Sequence, residues 1–273
     1  MSVTHRILYV GIGGTGVHVG KEFELALRRD LCGPDGRSLI RKGGPFKSLK
    51  PYQLPEYIQS LYFDFDDDAE QILQKGTDLS TKLIEKNATV VKSIHASGAT
   101  SYRVAAEMLR ADKDTSSMTK NWLPEKDNEP QVAPLSDGAG QYPTVGRAAL
   151  YLALNRSGNE IEREIDQAIR RLVLAGGMLQ SMKNEADKPK VLCYVGFSVA
   201  GGTGTGIFYD VIHLLEKRLN TILEGIEVNI FPLTLLPSAF VENWKPNNVK
   251  AGKSNAAIAL KDLAQLVEHL QKD

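Results

Sequence analysis

Short apolar runs alternate along the chain with stretches in which apolar residues return every three or four positions. Ile7-Leu8-Tyr9-Val10 is the first run. Leu61-Tyr62-Phe63-Asp64-Phe65, Val191-Leu192-Cys193-Tyr194-Val195-Gly196-Phe197 and Val228-Asn229-Ile230-Phe231-Pro232-Leu233-Thr234-Leu235 repeat it. Runs this short with little polar alternation predict strands buried on both faces, as in parallel sheets. Gln131-Val132-Ala133-Pro134-Leu135 predicts a weaker strand. Helical spacing follows the first run (Val17, Phe23, Leu25, Leu27) and returns over 69–87 and Tyr102–Ala111. It is cleanest where Ile161, Ile165, Ala168, Ile169 and Leu172 share a face while Glu162, Arg163 and Asp166 lie off it, and Gly176-Gly177 weakens or ends that helix. Ile207, Val211, Leu214, Leu215 and Leu219 mark another helix, and Ser254 to about Leu270 the last. Strands alternating with helices predict a three-layer α/β/α domain around a mostly parallel sheet. Two polar segments interrupt the pattern. Gly33–Pro55, rich in Gly, Pro, Lys and Arg, predicts a surface excursion, and Asp112–Pro130 a mobile loop.

Composition narrows the function classes. Lys plus Arg equals Asp plus Glu, so the formal charge is zero, which argues against a chain that grips nucleic acid through a basic face. Cys32 and Cys193 are far apart without metal spacing and fit reduced thiols of a cytosolic protein. No apolar run is long enough to span a bilayer, and Met1 leads directly into a strand, so a cytoplasmic, soluble protein without a leader is expected.

Three glycine loops carry the candidate chemistry. Gly11, Gly13 and Gly16, with Gly14 and Thr15 between them, satisfy G-x-G-x-x-G between a strand and a helix. By itself this is the dinucleotide fingerprint of a Rossmann fold and supports an NAD-dependent oxidoreductase. That fingerprint expects an acid about 20 residues on, and here the second strand delivers none before Asp64. The plain alternative is a tight turn whose glycines allow close packing. The second loop runs Asp137-Gly138-Ala139-Gly140-Gln141-Tyr142-Pro143-Thr144-Val145-Gly146-Arg147, where Arg147 is either a phosphate partner or an exposed residue of the helix's first turn. The third, Ser198-Val199-Ala200-Gly201-Gly202-Thr203-Gly204-Thr205-Gly206, offers amides and hydroxyls with little side-chain bulk. Neither the first nor the third is a Walker A sequence, since no Lys-Ser/Thr pair follows, so phosphate would rest on backbone dipoles. Such a site needs a hard cation. Asp64 and Asp66, at the carboxyl end of the second strand, are the candidate Mg²⁺ carboxylates, while Asp67 or Asp68 caps the following helix.

In this order, these residues resemble the tubulin/FtsZ superfamily. Ala200-Gly201-Gly202-Thr203-Gly204-Thr205-Gly206 is similar to its GGGTG[ST]G signature, with Ala200 in place of the first glycine. The first loop resembles the family's opening glycine loop, Phe63-Asp64-Phe65-Asp66 its magnesium-approaching segment, and Gly138-Ala139-Gly140 with Pro143, Val145, Gly146 and Arg147 the loop over the γ-phosphate. Pro237-Ser238-Ala239-Phe240-Val241-Glu242 sits where the family contacts ribose, which implicates Pro237 and Glu242, and Lys253-Ser254-Asn255-Ala256-Ala257 resembles the segment whose asparagine reads guanine, which implicates Asn255.

The resemblance implies a Rossmann-like, tubulin/FtsZ-type domain over residues 1–273, with insertions near 33–55 and 112–130 and nearest to bacterial tubulin-like proteins. It implies GTP or GDP with Mg²⁺, head-to-tail self-assembly through the nucleotide, and hydrolysis completed by an acidic loop of the adjacent subunit. The family's long central helix, that acidic loop and its second domain have no counterpart here, so weak or no hydrolysis is expected from the chain alone. A tubulin-like protein that binds nucleotide without polymerising is the alternative reading.

Overall fold

The computed structural model describes residues 5–66, 71–73, 88–90, 101–132, 134–175 and 190–270. Strand β1 (Arg6–Ile12) runs into helix α1 (Gly13–Cys32). A short helix α2 (Ser38–Lys42) and a 3₁₀ turn (Gly44–Phe46) precede β2 (Ile58–Phe63), and β3 is Ala88–Val90. Helices α3 (Tyr102–Ala111), α4 (Lys113–Thr119) and the long α5 (Pro143–Leu174) follow. The chain continues through β4 (Val191–Ser198), α6 (Gly202–Ile222), β5 (Val228–Leu235) and α7 (Pro246–Leu270).

The five strands form one parallel sheet in the order β3-β2-β1-β4-β5. Strand β1 lies at its centre because alternate side chains are buried on both faces. Leu8, Val10 and Ile12 join the larger core with residues of α3, α5 and α6, while Ile7 and Tyr9 meet α1 and the 33–55 segment on the other face. The expected three layers are present. Ile12 pairs with Phe63 on one side and Phe197 on the other, so the carboxyl ends of β1, β2 and β4 are level.

Several expectations change. The 33–55 segment is not merely a surface excursion, since Leu39, Phe46 and Leu54 are buried in a core cluster with Ile58 and Cys32. It is held from inside by Arg28, which lies fully buried beside Glu24 at 3.3 Å and donates to the Tyr52 carbonyl at 2.6 Å. Residues 112–130 are not an open loop either. Asp112 caps α4 by accepting from the Asp114 and Thr115 amides, Arg110 pairs with Glu129 at 2.6 Å, and Trp122 lies edge-on to Tyr151 of α5. In place of the weak strand over 131–135, a 3₁₀ turn occupies Leu135–Asp137, and Ala133 lies outside the described residues. Strand β2 ends at Phe63, so Asp64 is just past it, and α7 begins at Pro246 rather than Ser254. Within the expected 69–87 helix only 71–73 are described, and Asp67, Asp68, Gly176 and Gly177 also lie outside the described residues.

Candidate functional site

Strand β1 connects to β2 on one side of the sheet, whereas β4 connects to β5 on the other, so the strand order reverses between β1 and β4. Open parallel sheets bind ligands at such a reversal, outside the carboxyl ends of the strands. The first glycine loop ends β1, the third ends β4, and Asp64 follows β2, so all of them lie on this edge.

The glycines show how closely the pieces meet. A methyl group on Gly13 would stand 3.2 Å from the Gly204 nitrogen, which places the first loop against the third, and Gly13 itself has φ 69°, a conformation suited to glycine. A methyl on Gly16 would strike the Gly196 carbonyl at 2.5 Å, so α1 packs backbone-on-backbone against β4, and the Tyr9 hydroxyl donates to the Gly16 carbonyl. The second loop meets the third through Gly146, close to Gly202 and Thr203, and through the Gly202 amide, which donates to the Gly140 carbonyl at 2.7 Å. Gly206 packs against the Pro143 carbonyl and Gly204 against that of Ser198. All three loops therefore share one floor.

Helices α1, α5 and α6 start from this floor with caps at Ile12, Tyr142 and Gly201. None of these caps makes a side-chain hydrogen bond, and none of the helices has an acid in its first turn. Helices α3 and α4, by contrast, are capped by the side chains of Ser101 and Asp112. Uncapped first turns present N–H donors and a partial positive charge. Three of them together make a cradle for an anion carrying more than one charge. Gly201 is the telling position. Its φ of −92° needs no glycine, and nothing lies within 4 Å of where its side chain would be. The missing side chain leaves open space at the start of α6.

The carboxylates border this cradle. Asp64 is 2% exposed, its Oδ1 accepts from the Phe65 amide at 2.9 Å, and its Oδ2 lies 3.7 Å from where a Gly14 methyl would stand. Burial pushes its carboxyl up to about 7, against which the Phe65 and Asp66 amides pull down and the Asp66 charge pushes up. Asp66 is half-buried and lies beside Gly138, whose added methyl would come 3.9 Å from its Cβ. Two hard carboxylates at the rim of a phosphate cradle fit Mg²⁺, which takes one or two protein carboxylates and completes its shell with water and phosphate oxygens. Among the described residues no group of three or more His, Cys, Asp or Glu gathers into a metal cage.

The remaining candidates are placed as follows. Ala200 is fully buried and is not among the positive-φ residues, so its methyl points into the protein and strains nothing. Thr203 is buried, while Thr15 and Thr205 are half-buried in first turns. Ala139 is buried in the main core beneath its loop, and its carbonyl lies against Gly202. Arg147 is part-buried, pairs with Asp210 at 3.4 Å and lies over the rings of Trp122 at 5.1 Å and Tyr151 at 5.6 Å. Reaching a phosphate would require it to leave that nest. Pro237 is buried next to α7, whereas Glu242 is exposed on the turn Val241–Asn243. Asn255 is buried against the loops, donating to the carbonyls of Gln141 at 2.9 Å and Ala200 at 3.2 Å.

Three contributors carried little sequence signal. The Ser198 hydroxyl accepts from the Ala200 amide and shapes the third loop from within. Gln141, between the recognisable glycines, supplies a carbonyl to Asn255. Gly252 lets α7 sit close, since its methyl would meet Trp244 at 2.6 Å. A family model described as "Tubulin like" matches residues 8–273. No curated protein matches the chain.

Proposed function

The chain belongs to the tubulin-like family, and on that premise we propose that it binds GTP and GDP with Mg²⁺ as the nucleotide-binding domain of a polymer-forming GTPase. The observation that carries this reading is the meeting of three uncapped helix starts around the open space at Gly201. In this reading the phosphates are held by those amides of Gly11–Gly16, Gly138–Gly146 and Ala200–Gly206 that the loops do not spend on one another, as the Gly202 and Ala200 amides are spent. The two donors of Asn255 are already spent on the loops, so its Oδ1 is the part of the amide left for a base, which suits the donor edge of guanine. Asp64 and Asp66 hold the metal, which supplies charge neutralisation at the phosphates when bound.

In-line attack on a γ-phosphate also needs a positioned water. The cradle binds and orients, and the proposal assigns the water-positioning acids to an adjacent subunit. Residues 1–273 act as one domain, with 33–55 and 112–130 as insertions. The dinucleotide reading accounts for the first loop and leaves the other two without a role.

Titration of the full chain with labelled GTP, GDP, ATP and NADH, with and without Mg²⁺, tests the proposal. Saturable, Mg²⁺-dependent GTP binding that Gly201→Val abolishes at unchanged stability is expected. Absence of saturable GTP binding, or preference for NADH, refutes it.

A further inference from the structure

Asn255 does more than sit beside the candidate base site. It is 8% exposed, and its side-chain nitrogen bonds both the Gln141 carbonyl of the second loop and the Ala200 carbonyl of the third. These partners are 114 and 55 residues away in sequence. An asparagine nitrogen carries two hydrogens, so one group spends all its donors on holding two loops together. Next to this tie runs the direct bond from the Gly202 amide to the Gly140 carbonyl at 2.7 Å. One turn earlier on α7, an added methyl on Gly252 would stand 3.4 Å from the Ala200 carbonyl, so the helix itself is pressed onto the third loop.

We infer that Asn255 is a positioning residue that clamps the second and third glycine loops to α7 and sets the spacing of their phosphate-facing amides. The tie exists in the ligand-free chain, and only its consequence for phosphate rests on the nucleotide-binding reading. By linkage, whatever the phosphates gain from the clamped loops they return as stabilisation of the α7 seat. The chemistry requires a donor. Alanine at 255 leaves two buried carbonyls without partners, and aspartate sets carboxylate oxygens against them although its shape is nearly the same.

The first experiment is amide hydrogen exchange at Gly202 in the nucleotide-free full chain. Asn255→Ala and Asn255→Asp are expected to speed that exchange by about tenfold or more, while amides within β1 and the middle of α1 keep their wild-type rates. Asn255→Ser keeps one donor and serves if the others fail to fold, with an intermediate acceleration. Unchanged Gly202 exchange in the folded variants overturns the inference, whatever the ligands do. The second experiment compares binding of GTP, xanthosine triphosphate and inorganic tripolyphosphate. A residue acting only on the base would make Asn255→Asp lose GTP, gain xanthosine triphosphate and keep tripolyphosphate. A clamp weakens all three by about tenfold or more. Wild-type protein that binds neither GTP nor tripolyphosphate refutes the nucleotide reading and leaves Gly202 exchange to decide the clamp.

Discussion

Asp64 combines burial with charge at the rim of the cradle. Its carboxyl sits near 7 because burial disfavours the ion, so the native state holds this proton more tightly than the unfolded chain, whose ordinary value is 3.8. The contribution to stability is then complete below about pH 4 and is lost as pH rises through about 7. Above that, the ligand-free protein carries a buried negative charge, which a divalent cation would offset in the proposed reading. Asp64→Asn should therefore raise ligand-free stability at pH 8 by about 1–3 kcal/mol, with a much smaller gain at pH 5, as read by urea unfolding. The same variant should lose the Mg²⁺ dependence of nucleotide affinity. Loss of stability at pH 8 would show that the carboxylate is satisfied by the protein alone. Gly201→Ala separates ligand from fold at a neighbouring position. Its backbone angle accepts alanine and its surroundings are open, so stability should stay within about 1 kcal/mol while GTP affinity falls.

At the scale of elements, Glu24 and Arg28 lie on one face of α1, with Arg28 reaching across to the Tyr52 carbonyl of the 33–55 segment. Arg28→Ala would leave a buried carboxylate without its cation, at a cost of about 3–5 kcal/mol in urea unfolding. Arg28→Met, which keeps the packing, should cost little less, because Glu24 still loses its cation and keeps only the Ser60 and Tyr62 hydroxyls. This contact also shows where the sequence stopped being informative. Strands β1, β2, β4 and β5 and the three loops were legible because apolar runs, helical periods and glycines are local signals. Yet β5 is a part-exposed edge strand rather than a buried one, β3 was not expected, and no strand forms among the described residues of 131–135. Leu39, Phe46 and Leu54 stand singly among Gly, Pro and Lys, so no period announces that they are buried, and only the packed structure does. Trp122 is similar, since its place on α5 depends on Tyr151 and Arg147, which are distant in sequence. Arg147 was legible as a residue type and not as a contact, because Asp210 lies on another helix. The family resemblance pointed Asn255 to a base, while its two carbonyl partners came from loops that only the fold brings near.

At the scale of the whole molecule, the proposed reading puts the phosphate-binding and metal-binding parts on one sheet edge and borrows the water-positioning acids from a neighbour. GTP hydrolysis by the chain alone should then be slow or absent at every protein concentration, while sedimentation should detect assemblies with GTP that GDP disfavours. A brisk rate that does not depend on concentration would place those acids within the chain. No helix among the described residues is long and apolar enough to cross a membrane. The three uncapped helix starts have a practical consequence as well. In the ligand-free protein their donors give the pocket a partial positive charge, to which small multivalent oxyanions in the buffer can bind. Sulfate, phosphate or pyrophosphate should therefore raise the melting temperature of the empty protein as its logarithmic concentration rises, and chloride should do so much less. The same ions would compete with nucleotide, so a dissociation constant measured in phosphate buffer would read weaker than one measured in Tris, by the factor that the occupied fraction dictates.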